Sequence, residues 1–163
     1  MNKISNILVV SCLILFLGCS EKKSDDSSSV AVLALLANAN STPKCPYTVS
    51  GATVQYNLYT ASTSATSIGS LVTTTTVAVK ATVSAGQKVV FSGINYSGSA
   101  QSSVFLKSDC PVSTSDNAPS GNYTKTNNSS GGSLSYEISF STGGSYVLFL
   151  LGVNAQGVNV VIQ

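Results

Sequence analysis

The chain has 163 residues, of which only eight are basic and six are acidic, and it contains neither histidine nor tryptophan. All eight basic residues are lysines, so no arginine is present to read bases or clamp phosphates, which argues against a nucleic-acid-binding protein. Without histidine, the usual serine and cysteine hydrolases lack their general base, which argues against those enzyme classes.

The N-terminus has the features of an export signal. Lys3 precedes an apolar stretch, residues 7–17, that is too short for a bilayer span of about 20 residues but suits a signal peptide. Gly18 then stands directly before Cys19. The sequence Leu-Phe-Leu-Gly-Cys at 15–19 resembles the processing site of bacterial lipoproteins. It is the relaxed form that spirochaetes tolerate, because Leu17 occupies a position where a small residue is usual.

This resemblance implies that residues 1–18 are a lipoprotein signal peptide and that Cys19 carries a lipid anchor. The alternatives are an ordinary secretory signal with a chance cysteine, or an uncleaved buried helix. Residues 19–29 are polar and charged, which predicts a tether that holds the following domain away from the membrane.

Residues 30–37 are a short block of alanine, valine and leucine, and a linker rich in helix breakers continues it to residue 43. Alanine and leucine favour a helix, and Ser29 is suited to cap it. Because the block is apolar on all sides, it needs a surface to pack on. Two interpretations stay open: it packs on the following domain, or it makes a second contact with the membrane or a partner.

Cys45 and Cys110 are the cysteines that remain once the signal peptide and Cys19 are set aside. Export to an oxidising compartment favours a disulfide between them. The alternative is two separate buried thiols. A zinc site is poorly supported, because two thiolates without histidine or a CxxC pair do not fill four coordination positions.

Beyond Cys45, apolar and polar residues alternate, which predicts β-strands. The first alternation, over residues 54–58, describes a half-buried strand. Residues 61–70 are rich in serine, threonine and alanine and are predicted to be a loop. Strands are predicted at residues 71–83 and from residue 88 to 91, with a turn between them.

The C-terminal half continues the pattern. A short strand is predicted at 103–107, and residues 111–132 are predicted to be long loops around a possible short strand at Tyr123. Residues 134–141 alternate without a break and form the clearest predicted strand. Residues 146–151 are continuously apolar, which suits a central strand or one covered on both faces.

The last predicted strand follows a turn at 154–157 and has Val158, Val160 and Ile162 on one face. Serine and threonine supply 45 residues, yet the mean hydropathy is +0.29, which argues against disorder for most of the chain. Seven to nine short strands predict an all-β domain over residues 44–163, an antiparallel β-sandwich of jelly-roll or immunoglobulin-like order.

The strand–turn–strand unit at 134–151, with residues 85–91, resembles the β-sandwich modules of the pre-peptidase C-terminal and CUB-like groups. The resemblance rests on turn glycines and strand alternation. It implies the sandwich fold and, by analogy alone, a binding role.

Asp109, Asp116 and Asn117 flank one irregular loop and are candidate calcium ligands, because hard cations take carboxylate and amide oxygens. The alternative is that these residues serve turn geometry. Any carboxylate pair for glycoside hydrolysis would have to come from Asp109, Asp116 and Glu137. The place of Glu137 on the polar face of a strand favours an ordinary solvated carboxylate.

Tyr96 and Tyr123 are the first candidates for contact with a ligand, because they lie in predicted loops rather than at alternating strand positions. No cofactor is predicted. The leading functional hypothesis is a non-enzymatic envelope lipoprotein, anchored in the outer membrane and possibly exposed on the cell surface, whose loops bind a host or envelope protein or glycan. The alternative is a periplasm-facing structural or assembly component, and a small-ligand carrier or an enzyme comes third.

Overall fold

The computed structural model describes residues 42–71, 76–94, 102–128, 134–151 and 155–163. These residues belong to one structural unit, Thr42–Gln163. Within them, no helix is long and apolar enough to cross a membrane.

Strands dominate the described residues, which contain eleven strands and two 3-10 helices. The strands in chain order are β1 (Lys44–Val49), β2 (Ala52–Thr60), β3 (Thr66–Leu71), β4 (Thr76–Val83), β5 (Lys88–Ser92), β6 (Ser102–Leu106), β7 (Val112–Ser113), β8 (Tyr123–Asn128), β9 (Ser135–Phe140), β10 (Gly144–Leu151) and β11 (Ala155–Ile162). The 3-10 helices are Thr114–Asp116 and Ser120–Asn122.

The strands form two sheets packed together, so the predicted all-β sandwich is confirmed. Sheet A has the order β6-β10-β4-β2-β1-β7, and sheet B has the order β3-β11-β5-β9-β8. Most neighbouring strands are antiparallel, but β2 pairs with β4, and β1 with β7, in parallel. The β2–β4 pair is parallel because the intervening β3 belongs to sheet B, so the chain crosses over and returns in the same direction.

The main core lies between the sheets. In β4 the predicted apolar face is confirmed, because Val77, Val79, Ala81 and Val83 are all buried in this core. Tyr136, Ile138 and Phe140 of β9 and Val158, Val160 and Ile162 of β11 belong to the same cluster. Period-two alternation thus places one face of each strand against the opposite sheet.

Strand β10 is buried on both faces, as its continuous apolar sequence predicts. Tyr146, Leu148 and Leu150 belong to the main core, while Val147 and Phe149 belong to a second cluster on the other side of sheet A. β10 also lies between β4 and β6, so both of its edges are paired.

Three regions differ from the sequence prediction. Residues 66–70, predicted within a loop, and Leu71, predicted to begin the strand at 71–83, form β3, because Ile68 and Leu71 are buried in the main core despite the polar residues around them. Residues 155–157, predicted as a turn, begin β11 and pair with β3 through shifts in register. In the region predicted as long loops, β8 extends for six residues, and its polar sequence suits an edge strand of sheet B.

Candidate functional site

The predicted disulfide between Cys45 and Cys110 is confirmed. The sulfur atoms are 1.90 Å apart and the Cα atoms 5.2 Å apart. Cys45 lies on β1 and is fully buried, and Cys110 lies in the connection from β6 to β7. The bond therefore ties the first strand of the domain to a segment 65 positions further along the chain.

The segment after Cys110 connects the two edges of sheet A. Val112 pairs with Tyr47 of β1, and a little further on Asn117 forms an isolated bridge with Phe105 of β6. The amide of Ala118 also donates to the carbonyl of Val104, at 2.8 Å. Sheet A is therefore curled around the side chains on its outer face.

These enclosed side chains form an aromatic cluster beside the disulfide. The ring of Phe149 lies 4.9 Å from Phe105, 5.2 Å from Tyr47 and 5.1 Å from Tyr56, measured between centroids. All three contacts are edge-on or nearly so, which is a favourable geometry for aromatic rings. The two phenylalanines are buried, whereas the two tyrosines are only partly buried.

The tyrosines continue this cluster onto an exposed surface of the β1–β2 hairpin. The register pairs Cys45 with Tyr56, Tyr47 with Val54 and Val49 with Ala52, so these six side chains share one face of the hairpin. Val49 is 38% exposed and Val54 is 44% exposed. We call the surface formed by Tyr47, Val49, Val54 and Tyr56 the hairpin face; no charged residue contributes to it.

The opposite side of the same hairpin is polar. Thr48 and Thr53 share a hydrogen bond of 3.0 Å between their hydroxyls, and the ammonium of Lys44 donates to Asn57. The turn at the tip needs two residues with positive φ, which Ser50 (φ 49°) and Gly51 (φ 81°) provide. The hairpin is therefore amphipathic, with one apolar and one polar side.

The hairpin projects away from the point where the chain joins the domain. The described chain starts at Thr42, and the carbonyl of Pro43 accepts a hydrogen bond from the amide of Leu58 at 2.7 Å. From Lys44 to Val49, β1 then runs about 17 Å towards the tip at 3.3 Å per residue. The hairpin face thus lies towards the far end of β1.

The candidate calcium ligand Asp109 takes part in other contacts. One of its carboxylate oxygens accepts a hydrogen bond from the amide of Cys110 at 2.9 Å, and the other lies 3.7 Å from the ammonium of Lys80. An Asp side chain that bonds the next backbone amide supports a local turn.

Asp116, the second candidate, caps a 3-10 helix. Its carboxylate accepts hydrogen bonds from the backbone amide of Ser113 at 2.8 Å, the Ser113 hydroxyl at 3.0 Å and Lys107 at 3.1 Å. The Ser113 amide, followed by Lys107, holds the pKa of Asp116 below its ordinary value of 3.8. Asn117, the third candidate, is the residue that bridges to Phe105.

The three candidates therefore make capping, turn and bridge contacts. Within the described ranges, no group of three or more His, Cys, Asp or Glu side chains could hold a metal ion. Glu137 also has a lysine partner, since its carboxylate lies 3.1 Å from the ammonium of Lys88. Each carboxylate side chain of residues 42–71, 76–94, 102–128, 134–151 and 155–163 thus faces a lysine.

Tyr123, the described one of the two candidate contact tyrosines, begins β8 and is partly buried against the main core. The ammonium of Lys125 lies 5.5 Å from the centre of its ring. Tyr123 also lines an open cleft of about 340 Å³, together with Gly121, Phe140 and neighbouring serines and threonines. Tyr96, the other candidate, lies outside the described residues.

A buried polar contact links the two sheets through Ser102 of β6 and Tyr136 of β9. The hydroxyl of Ser102, whose side chain is 6% exposed, lies 2.5 Å from that of Tyr136, and Lys125 donates to the Ser102 carbonyl at 2.6 Å. Burial raises the pKa of Tyr136 and lowers that of Lys125. An inward-pointing lysine on the edge strand β8 also discourages pairing with another chain. We interpret this contact as structural.

The hairpin face is the site that the sequence prediction missed. The alternation at 54–58 predicts one strand, and a matching alternation of Cys45, Tyr47 and Val49 lies just before it in the sequence. Ser50-Gly51 between these two segments is a turn signal, and mirror alternation on both sides of it indicates a two-stranded hairpin with one apolar face.

The predicted lipidation site Cys19, the signal peptide, the tether and the apolar block at 30–37 all lie outside the described residues. Among the residues that the structure describes, the candidate surfaces include the hairpin face and two open clefts, one at Tyr123 and one beside Lys80. No family model, curated protein or solved structure gave a significant match to this chain.

Proposed function

We propose that this chain is a lipid-anchored envelope protein whose β-sandwich binds a protein partner through the hairpin face and catalyses no reaction itself. The observation that carries the proposal is the exposure of Val49 and Val54 next to the half-buried Tyr47 and Tyr56. Grouped exposed apolar side chains mark interaction sites more often than scattered ones do.

The chemistry of the face favours a protein as the partner. Its contact atoms are aliphatic and aromatic carbons with two tyrosine hydroxyls, a composition typical of the centre of protein–protein interfaces. Since the described carboxylates all face lysines, the domain offers little charge of one sign to steer a strongly charged partner. Recognition would therefore depend on apolar burial and shape.

The anchor part of the proposal rests on Cys19 and the signal features before it. Residues 20–41 separate this cysteine from the described domain and would reach about 75 Å if fully extended. Outer-membrane attachment and surface exposure are part of the same proposal.

Site-specific photocrosslinking on intact cells tests the partner. A benzoylphenylalanine in place of Val54 should crosslink to one envelope or host protein, while the same probe at Gln55, next to it but on the polar side, should not. Binding of that protein to the purified chain should then weaken at least tenfold with Val54→Asp and change little with Gln55→Asp. Equal crosslinking from both positions, or equal loss of binding in both variants, contradicts the proposed face.

The anchor is tested separately by labelling with a radioactive fatty acid. Cys19→Ala should abolish the label and release the protein from the membrane fraction, and Cys12→Ala, upstream in the signal, should change neither. A Cys19→Ala protein that stays in the membrane fraction would contradict the anchor but not the hairpin face.

Protease accessibility distinguishes the leading function from the periplasm-facing alternative. Digestion of the domain on intact cells, while a periplasmic control protein survives, supports display on the surface. Protection until the outer membrane is opened directs the search for the partner to envelope assembly proteins.

A further inference from the structure

The second open cleft lies at the other end of β2 from the hairpin tip. It has a volume of about 380 Å³, within the range of small-ligand sites, and is formed where the end of β2 meets β4, Ser108 and the C-terminal strand. Val54 and Thr60 are six residues apart on β2, so the hairpin face and this cleft are about 20 Å apart.

The floor of the cleft is apolar and held by backbone hydrogen bonds. Ala61, Ala81 and Ile162 line it and are buried. The amide of Ala61 donates to the carbonyl of Lys80 at 2.9 Å, and the amide of Ile162 donates to the carbonyl of Ser62 at 2.7 Å. Strand pairing therefore holds the floor in position without any ligand.

The rim of the cleft is rich in hydroxyl groups. They belong to Thr60, Ser62, Thr63, Thr82 and Ser108. The hydroxyl of Ser62 bonds the backbone of Ser64, and that of Thr82 bonds Ser145 at 3.0 Å. The hydroxyls of Thr63 and Ser108, both on exposed residues, make no hydrogen bond to another described group. They are available to a ligand as both donors and acceptors.

Lys80 lines the cleft and carries an ion pair to Asp109. Their charged atoms are 3.7 Å apart, against 3.1 Å in each of the other two ion pairs, and the side chains are 35% and 61% exposed. A pair so open to solvent contributes little to stability. Lys80 therefore offers an ammonium donor to the cleft, and Asp109, which is not one of the lining residues, balances its charge.

We propose that this cleft binds a neutral carbohydrate. The rim hydroxyls, which both donate and accept, and the Lys80 ammonium match the mixed donors and acceptors of a sugar, and the small apolar floor suits the C–H face of a pyranose ring. The balanced local charge favours a neutral sugar over an anionic ligand. This goes beyond the protein partner proposed above, because it assigns a different ligand to a different surface.

Titration calorimetry on the purified chain with Cys19→Ala tests the proposal. The probes are maltotetraose, cellotetraose and chitotetraose, each up to 10 mM, with inorganic phosphate as the anionic comparison. We expect saturable binding of at least one of these oligosaccharides. The double variant Thr63→Val, Ser108→Ala should weaken that binding at least tenfold, because it removes two hydroxyls that make no hydrogen bond to another described group.

Thr126→Val, an exposed threonine on β8, is the matched control and should bind as the parent does. Equal binding by the double variant overturns the assignment to this cleft. Binding of phosphate but of no oligosaccharide contradicts the proposal that the ligand is a neutral carbohydrate. The absence of any binding contradicts the proposal that the cleft is a binding site. None of these outcomes depends on lipidation or on the hairpin face, so the proposed function is tested independently.

Discussion

The rings of Tyr47 and Phe105 lie 5.6 Å apart, although β2, β4 and β10 separate their strands in sheet A. In a flat sheet, four strand spacings would place β1 and β6 about 19 Å apart. The two residues approach each other because the sheet is curled and because the segment after Cys110 pairs with both of its edges.

Curling gives sheet A two packed faces. The inner face meets sheet B, and the outer face encloses Phe105, Phe149 and Val147 beside the disulfide. The outer cluster then opens onto the hairpin face through its two tyrosines. The stability of the disulfide region and the shape of the proposed partner site therefore depend on the same aromatic contacts.

Phe149→Ala is expected to lower the free energy of unfolding by about 3–5 kcal/mol, because it removes a buried ring that contacts three others and leaves a cavity. Urea unfolding followed by tyrosine fluorescence measures the change. Leu106→Ala, on the exposed end of β6, should change the stability by less than about 0.5 kcal/mol. Similar losses in both variants would argue against an enclosed outer cluster.

Reduction of the disulfide is expected to lower the free energy of unfolding by about 4 kcal/mol in the loop-entropy model, since the bond closes a long loop in the unfolded chain. The measurement compares urea unfolding of the Cys19→Ala protein with and without reductant. The same comparison in a Cys45→Ala, Cys110→Ala background provides the control, where reductant should have no effect. A loss below 1 kcal/mol would contradict this prediction.

Asp116 should make the stability depend on pH in the acid range. Its pKa is lowered in the folded state, so its contribution is fully present above the ordinary value of 3.8 and is lost as the pH falls through the lowered folded pKa. Asp116→Asn should therefore flatten the loss of stability below pH 3.8 in acid-unfolding curves. Ser113→Ala should keep most of the dependence, because the backbone amide that contributes most to the shift remains. If Asp116→Asn loses stability below pH 3.8 as the parent does, a group other than Asp116 causes the pH dependence.

The Ser102–Tyr136 contact should show strong coupling between its two side chains. Tyr136→Phe removes the hydroxyl that contacts the buried Ser102 hydroxyl and should lower the free energy of unfolding by about 1–3 kcal/mol. Ser102→Ala removes the same contact from the Tyr136 hydroxyl and should lower the free energy of unfolding by a similar amount. The double variant should lose less than the sum of the single variants, by about 1 kcal/mol, because both polar groups are then removed together. Unfolding free energies of the four proteins measure this cycle, and strict additivity would contradict it.

Local alternation was sufficient to predict several strands. Residues 134–141 and 146–151 form β9 and β10 close to the predicted bounds. The first segment alternates apolar and polar residues with the two-residue period of a strand, and the second is the continuous apolar run of a strand buried on both faces. The disulfide was predicted from export and from the two remaining cysteines, without knowledge of their positions in space. In contrast, β3 was predicted as a loop, because Ile68 and Leu71 are separated by polar residues and become buried only when β11 pairs alongside.

Sequence alone therefore determined the export signal prediction, the β-rich class, the cysteine pair and the faces of the strongly patterned strands, since each depends on composition or on short-range periodicity. Tertiary structure alone decided the parallel β2–β4 pair, the curl that brings Phe105 to Tyr47, the pairing of Lys80 with Asp109, and the cleft beside Lys80. Each of these joins residues that are distant in the chain. Their contacts depend on sheet order and closure, which the alternation within any single strand does not encode.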